Sequence, residues 1–321
     1  MRFMRFPVIF LKWGGSPASW SLPEVAASVR RSGQRIISLP ACMLVLLLLP
    51  ACSAVRLAYN QSPELAYWYM DSYVDFNEVQ SRQIKADMAG LQTWHRQTQL
   101  PAYAELLQKL QTRIRGDISA PEACLVFADV RRKLLTAAEQ AAPVVATLAV
   151  SLQPGQLKHM ERKFAKGNEE YREDFLEGSV QELRDKRLEK ALKRAEMLYG
   201  NLSKAQISLL SQLLEQSSFN AQRSYAERVR RQQDTLQTLN RLIQDSPTAE
   251  KARPVMRALF ERSLDSPDAA YREYLEKLTL DGCRILADLH RSTTAAQRQK
   301  AAETLSAYEK DLKSLAAQAA N

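Results

Sequence analysis

The sequence predicts an all-α protein, an elongated multi-helix bundle of long amphipathic helices behind an N-terminal signal segment. Three observations predict it. Glycine and proline are scarce, 10 and 13 in 321 residues, while strong helix formers such as Ala, Leu, Gln, Glu, Lys and Arg abound. Helix-start boxes recur along the chain, with apolar residues at three- and four-residue steps between them. From Pro63 onward no stretch shows the two-residue alternation of a strand. A composition of 45% hydrophobic and 25% charged residues is that of a globular chain, and 321 residues can bury a sizeable core.

Residues 1–28 carry Trp13, Trp20 and Glu24, which suit no signal sequence, and read as an over-extended start, with translation beginning near Val29. Arg30, Arg31 and Arg35 then precede the apolar stretch Ile36 to Leu49, and Pro50-Ala51-Cys52-Ser53 follows. A basic segment, an apolar segment and a small residue before a cut make a secretory signal. The apolar run is about 14 residues and is interrupted by Pro40, too short for roughly 30 Å of hydrocarbon. Leu49, Pro50, Ala51 and Cys52 together resemble the lipobox of bacterial lipoprotein precursors, departing from it at Pro50, where small or hydroxylated residues are commoner. The resemblance implies cleavage before Cys52 and acylation of its thiol, so that the lipid bilayer becomes a partner. By the same resemblance Ser53 implies the outer membrane, facing the periplasm, since an Asp there marks retention at the inner one. The expected organisation is a signal segment at 1–51, a lipid-anchored linker at 52–62 and a helical body at 63–321.

The net charge of +9 invites a nucleic-acid reading, but six of the 45 basic residues and only one of the 36 acidic ones lie in residues 1–51. The remaining body is about +4 with both signs interspersed, a solvated helical surface and no phosphate-binding stripe. No nucleic-acid partner is expected.

Within the body, helices start at the capping boxes Ser119-Ala-Pro-Glu122, Ser203-Lys-Ala-Gln206 and Thr294-Ala-Ala-Gln297. Asn77xxGln80 and Gln153xxGln156 are looser copies. Ser246-Pro247 and Ser266-Pro267 place a cap before a proline at the first helical position. Stops are read at Gly116, Pro154-Gly155, Gly200-Asn201 and Asp245-Ser-Pro247, and a break is expected near Pro101. Between Asn201 and Pro247 there is no Gly or Pro, and Ile207, Leu210, Leu214, Ala221, Tyr225, Val229, Leu236, Leu239 and Ile243 mark one face. They predict one helix of about 40 residues, roughly 60 Å long. Gln156 to Tyr199 reads as a second long helix with Glu182–Lys186 and Glu189–Lys193 pairs, in which Gly167 and Gly178 either bend the helix or admit close packing. The total is about seven helices.

Two resemblances add to this. The S/T-x-x-Q boxes are similar to the Leu-Thr-x-x-Gln element of Spy-type periplasmic chaperones, although a capping box alone explains them. Tyr59-Asn60, Trp68, Asp71-Ser-Tyr-Val-Asp75, Gln80, Trp94-His-Arg-Gln97, Leu100-Pro101, Tyr103, Tyr199-Gly-Asn-Leu202, Gln206 and Arg231-Gln232 resemble an uncharacterised family of proteobacterial lipoproteins, a domain of unknown function. That resemblance covers most of the body and implies fold and address but no activity.

Candidate chemistry is sparse. Asp71, Asp75 and Glu78 fall at helical spacing and would present carboxylates on one face, for a cation or for acid–base work; pairing with Arg82, Arg96 or another helix is the commoner fate. Trp94, His95 and Arg96 offer a Trp–Arg stack that would recognise a ligand, against the usual burial of such a Trp in the core. Tyr67, Trp68, Tyr69 and Tyr73 surround their helix, where core packing competes with a place at a membrane interface and is the commoner outcome. Cys124 and Cys283, the cysteines beyond Cys52, either form one disulfide or are two separate buried thiols; the sequence leaves both open. The residues three before His95, His159 and His290 are Gln92, Gln156 and Ala287, so the Glu-x-x-His of di-iron bundles is missing, as are zinc, nucleophile-elbow and Walker patterns. No cofactor and no metal are expected. The function expected is that of a membrane-anchored, non-enzymatic protein on the periplasmic side of the envelope, binding an envelope partner or serving a structural role. The alternative is a chaperone-like holdase for unfolded clients.

Overall fold

Helix follows helix in the computed structural model, which describes residues 54–318, and no strand occurs among the described residues. Leu49, Pro50, Ala51 and Cys52 lie outside the described residues. The chain divides into two units between Gln61 and Ser62. In the first, α1 spans Ala54–Asn60. The second holds α2 (Ser62–Val74), α3 (Glu78–Trp94), a π-helical turn (His95–Gln99), α4 (Leu100–Arg113), α5 (Ala120–Ser151) and α6 (Pro154–Phe175). It continues through α7 (Val180–Tyr199), α8 (Lys204–Glu215), α9 (Ala221–Asp245), α10 (Ala249–Leu264), α11 (Ala269–Arg291) and α12 (Ala295–Ala317). This unit is a multi-helix bundle, as the composition predicts.

The expected long helices are each divided, which raises the number above seven. Between α8 and α9 the Ser217 hydroxyl donates to the Leu214 carbonyl, the Ser218 N–H donates to Asp281 at 2.6 Å, and the Asn220 side chain accepts from the Arg223 N–H to open a new helix. Apolar periodicity cannot register such a break when the face resumes in phase beyond it. Between α6 and α7 the chain turns at Gly178 (φ 112°), and Ser179 with Glu182 forms a complete capping box. That box, S-x-x-E, was legible in the sequence and was masked by the run of charged pairs around it.

Three smaller expectations also change. The caps of α10 and α11 are Thr248 and Asp268, each past the proline, while Ser246 closes α9 in the left-handed region (φ 44°). Pro154 opens α6 instead of ending α5, a position where its missing N–H costs nothing. Near Pro101 the helix does not break. Proline there cannot donate to residue 97, and the π turn absorbs the mismatch, Leu100 N–H donating to the His95 carbonyl.

The four Gln boxes do more than cap. Gln80 and Gln156 pair through both amides: Gln80 Nε2 donates to Gln156 Oε1 (3.2 Å) and Gln156 Nε2 to Gln80 Oε1 (2.7 Å). Each spare N–H reaches the end of the opposite junction, Gln80 to the Ser151 carbonyl (2.9 Å) and Gln156 to the Asp75 carbonyl (3.0 Å). Each Oε1 also accepts the N–H of its own cap residue, Asn77 or Gln153. Gln206 and Gln297 repeat the scheme at 2.8 and 3.0 Å, with spare donors on the Ser292 and Asn201 carbonyls and caps from Ser203 and Thr294. The registers coincide: Ser151 and Ser292 each precede their glutamine by five residues, and Asp75 and Asn201 precede theirs by five. Tyr73-Val-Asp-Phe-Asn-x-x-Gln80 thus aligns with Tyr199-Gly-Asn-Leu-Ser-x-x-Gln206.

Every glutamine in these clasps uses two donors and two lone pairs, its full capacity. Glutamate lacks the donors. The boxes that stand alone, Ser119–Glu122 and Ser179–Glu182, carry glutamate instead.

Each clasp sits with its own apolar core. Val74, Ala146, Leu152, Leu157, Met160, Leu239, Met256 and Leu259 pack around the first. Tyr199, Leu202, Leu210, Leu289, Ala301, Ala302 and Leu305 pack around the second. Helix α5 packs against α10 and α11, and α4 lies along α12. Alanines at the closest positions, such as Ala123, Ala252 and Ala301, each fully buried, let the backbones approach.

Candidate functional site

The three N-terminal carboxylates do not share a helix face, contrary to the expectation from spacing. Helix α2 ends at Val74, so Asp75 lies beyond it with φ 61° and an exposed side chain. Asp71 accepts the Phe76 N–H at 2.9 Å, closing the turn. Glu78 opens α3 and faces Arg82 at 3.8 Å, both exposed. These groups build a helix junction and leave no acid–base pair.

The aromatic residues of α2 divide into packed and exposed. Tyr67 donates to Ser81 (3.0 Å), lies 5.9 Å from Phe76 and carries Lys85 over its ring at 4.5 Å. Tyr73 packs between Tyr69 (5.2 Å) and Phe164 (6.0 Å). Trp68 is 62% exposed and Tyr69 46%. Core packing therefore accounts for Tyr67 and Tyr73 and not for Trp68.

Trp94, His95 and Arg96 enter the π turn together, and all three are half-buried. The His95 ring lies 5.4 Å from Tyr103 and 6.2 Å from Trp94, and burial pushes its pKa down. Arg96 reaches Gln318 at 3.2 Å, away from any stack on Trp94 that the structure shows. Arg96 thereby ties the π turn to the end of the last helix, while His95 packs within its own segment between Trp94 and Tyr103.

Cys124 and Cys283 are brought together as a disulfide, with Cα atoms 5.3 Å apart. The bridge ties the first turns of α5 to the middle of α11, where Cys283 is fully buried.

Two polar centres escaped sequence reasoning. His290, fully buried, shares Nδ1 with the Tyr199 hydroxyl (2.9 Å) and donates Nε2–H to the Gly116 carbonyl (2.7 Å). The carbonyl accepts only, so Nε2 holds the proton and Nδ1 receives the phenol. Burial holds the imidazole pKa down and pushes Tyr199 up to about 12, so both stay neutral. With both ring nitrogens bonded inside the fold, this histidine joins α11 to the loop after α4.

The second centre is ionic. Glu227, its side chain 4% exposed, accepts from Arg230 (2.8 Å), Arg231 (2.7 Å) and the Ser266 hydroxyl (3.1 Å). Asp234 meets the Arg262 fork at 2.8 and 2.9 Å. Burial by itself raises the Glu227 pKa, but the two guanidinium groups outweigh it and hold the carboxyl below its ordinary value. Arg262 does the same for Asp234.

A depressed carboxylate contributes stability that is present above its unfolded pKa, about 4.3, and is lost as pH falls through the folded value. Urea midpoints of the wild type are therefore expected to fall below about pH 4.5, and Glu227→Gln to flatten that decline while costing about 2 kcal/mol at neutral pH. An equally steep acid limb in the variant contradicts the assignment.

Among the described residues no group of three His, Cys, Asp or Glu side chains is placed to hold a metal ion. A shallow hollow of about 350 Å³ is lined by Ser218, Asn220, Arg223, Glu273, Tyr274 and Lys277, and Lys277 is paired to Glu273 at 2.9 Å within it. Among the described residues the surface also carries an exposed aromatic pair on α2, Trp68 and Tyr69. A family model described as a family of unknown function (DUF6279) matches residues 72–272. No curated protein and no solved structure matches the chain.

Proposed function

The chain belongs to DUF6279, a family of unknown function, and from that premise we propose that it is a lipoprotein of the bacterial envelope, held by acyl chains on Cys52, that works by binding an envelope partner. The observation that carries this reading is the order of basic segment, apolar segment and Leu49-Pro-Ala-Cys52 directly before the first helix at Ala54. The chemistry fits the position. A thiol accepts a diacylglyceryl group, the freed amine accepts a further chain, and each buried methylene contributes about 0.8 kcal/mol. The Cys124–Cys283 bridge supports the same compartment, because thiols in the cytosol are kept reduced. Ser53 favours the outer membrane, with the helical body facing the periplasm.

Replacing Cys52 by serine tests the anchor. Metabolic palmitate label is expected to vanish and the protein to leave the membrane fraction; a variant that keeps its label and still sediments with membranes refutes the lipoprotein reading.

One observation favours a second reading, a holdase for unfolded clients. Helix α5 is apolar enough to cross a membrane by composition, yet little of its apolar window is buried, and Leu125 is 67% exposed. Such a face suits transient contact with unfolded chains. Suppressed aggregation of a denatured client distinguishes it from partner binding.

A further inference from the structure

We propose that Trp68 and Tyr69 seat in the headgroup region of the bilayer, so that the body lies with α2 against the membrane surface; this rests on the acylation of Cys52 proposed above. Among the described residues the exposed large hydrophobics are mostly aliphatic and scattered over several helices, Leu57, Val79, Leu125, Val180 and Leu280 being the most exposed of them. The two aromatic members, Trp68 at 62% and Tyr69 at 46% exposure, are consecutive. Indole and phenol rings, apolar in the body and polar at one tip, are the side chains that concentrate at the membrane–water interface.

Their position in the chain commits the occupant. Trp68 follows Cys52 by 16 residues, and α1 with the first half of α2 takes up most of them as helix. Helical rise and extended links together limit the separation of Cys52 and Trp68 to about 30 Å. A sulfur whose acyl chains are inserted therefore confines these rings to within about 30 Å of its anchoring point, where they meet headgroups at high local concentration. Tethering turns a weak interfacial preference into an intramolecular one at high effective concentration. Tyr67 and Tyr73, on the same helix, are engaged by Ser81, Phe76 and Phe164, so the rest of α2 is held by the fold while Trp68 points outward.

The mature chain beginning at Cys52 has two tryptophans, Trp68 and Trp94. The test uses full-length protein purified from membranes, with its intact mass recorded to show which residues and acyl chains remain. It is reconstituted in phosphatidylcholine vesicles with or without bromines just below the headgroups. The Trp94→Phe variant, emitting from Trp68 alone, is expected to lose about half its fluorescence to brominated lipid, and Trp68→Phe, emitting from Trp94, to lose little. If Trp94→Phe does not fold, the difference between the wild type and Trp68→Phe reports the same quantity. Protein that carries the acyl mass and floats with vesicles while Trp68 stays unquenched overturns the proposal and leaves the anchor standing. Protein without acyl mass that does not float overturns the anchor and the proposal together.

Discussion

Replacing Gln206 by alanine is expected to lower the free energy of unfolding by about 3 kcal/mol, a large effect for a single uncharged polar side chain. The side chain is 5% exposed and makes four hydrogen bonds, to Ser203, Ser292 and both polar atoms of the Gln297 amide. Truncation leaves the Ser203 N–H, the Ser292 carbonyl and half of the Gln297 amide without their partners; Ser292 is exposed and Gln297 half-buried, so water takes up part of the loss and each orphaned group costs about 1 kcal/mol, the low end of the usual range. Gln297→Ala in the same background is then expected to add little, giving a coupling of about 1–2 kcal/mol in a double-mutant cycle read from urea unfolding. Strict additivity would show that the clasp is a pair of independent caps. The contrast with glutamate boxes sharpens the point: Glu182→Gln keeps the acceptor and is expected to cost under about 1 kcal/mol, because Glu182 caps only its own helix through Ser179.

Loss of the Cys124–Cys283 bridge is the other large effect. Its partners are 159 residues apart in sequence, so the bond removes much loop-closure entropy from the unfolded chain. Reduction, or the double variant Cys124→Ala/Cys283→Ala, is expected to cost about 3–5 kcal/mol. The bridge also joins α5, whose far end belongs to the first core, to α11, whose Leu289 belongs to the second. Without it the cores are expected to unfold at separate urea midpoints, seen as a biphasic transition by circular dichroism. A single transition at an unchanged midpoint with and without reductant refutes the structural role of the bond.

Much of this was visible in residues alone. Helix starts at Ser119, Ser203 and Thr294 follow from local hydrogen bonding within four residues, so no tertiary information is needed to find them. The link at 216–220 could not be read, because its Ser218 N–H is satisfied by Asp281, 63 residues away. Reading Asp71, Asp75 and Glu78 as one face failed for a related reason: Asp75 takes a left-handed backbone that ends α2, and the capping of α3 by Asn77 makes that early stop worthwhile. Choosing glutamine over glutamate at four boxes was a legible signal, since a cap alone accepts either residue.

The sequence by itself determined the all-helical class, the helix starts at Asn77, Ser119, Ser203 and Thr294 and the lipobox-like Leu49–Cys52, because each rests on composition or on interactions a few residues long. Only the tertiary structure decided how those helices are joined: which glutamines face each other, that Cys124 meets Cys283, that His290 is locked between Tyr199 and Gly116, and that Trp68 is left outside. Those are contacts between residues tens to hundreds of positions apart, and residue spacing carries no record of which distant group will satisfy a buried donor.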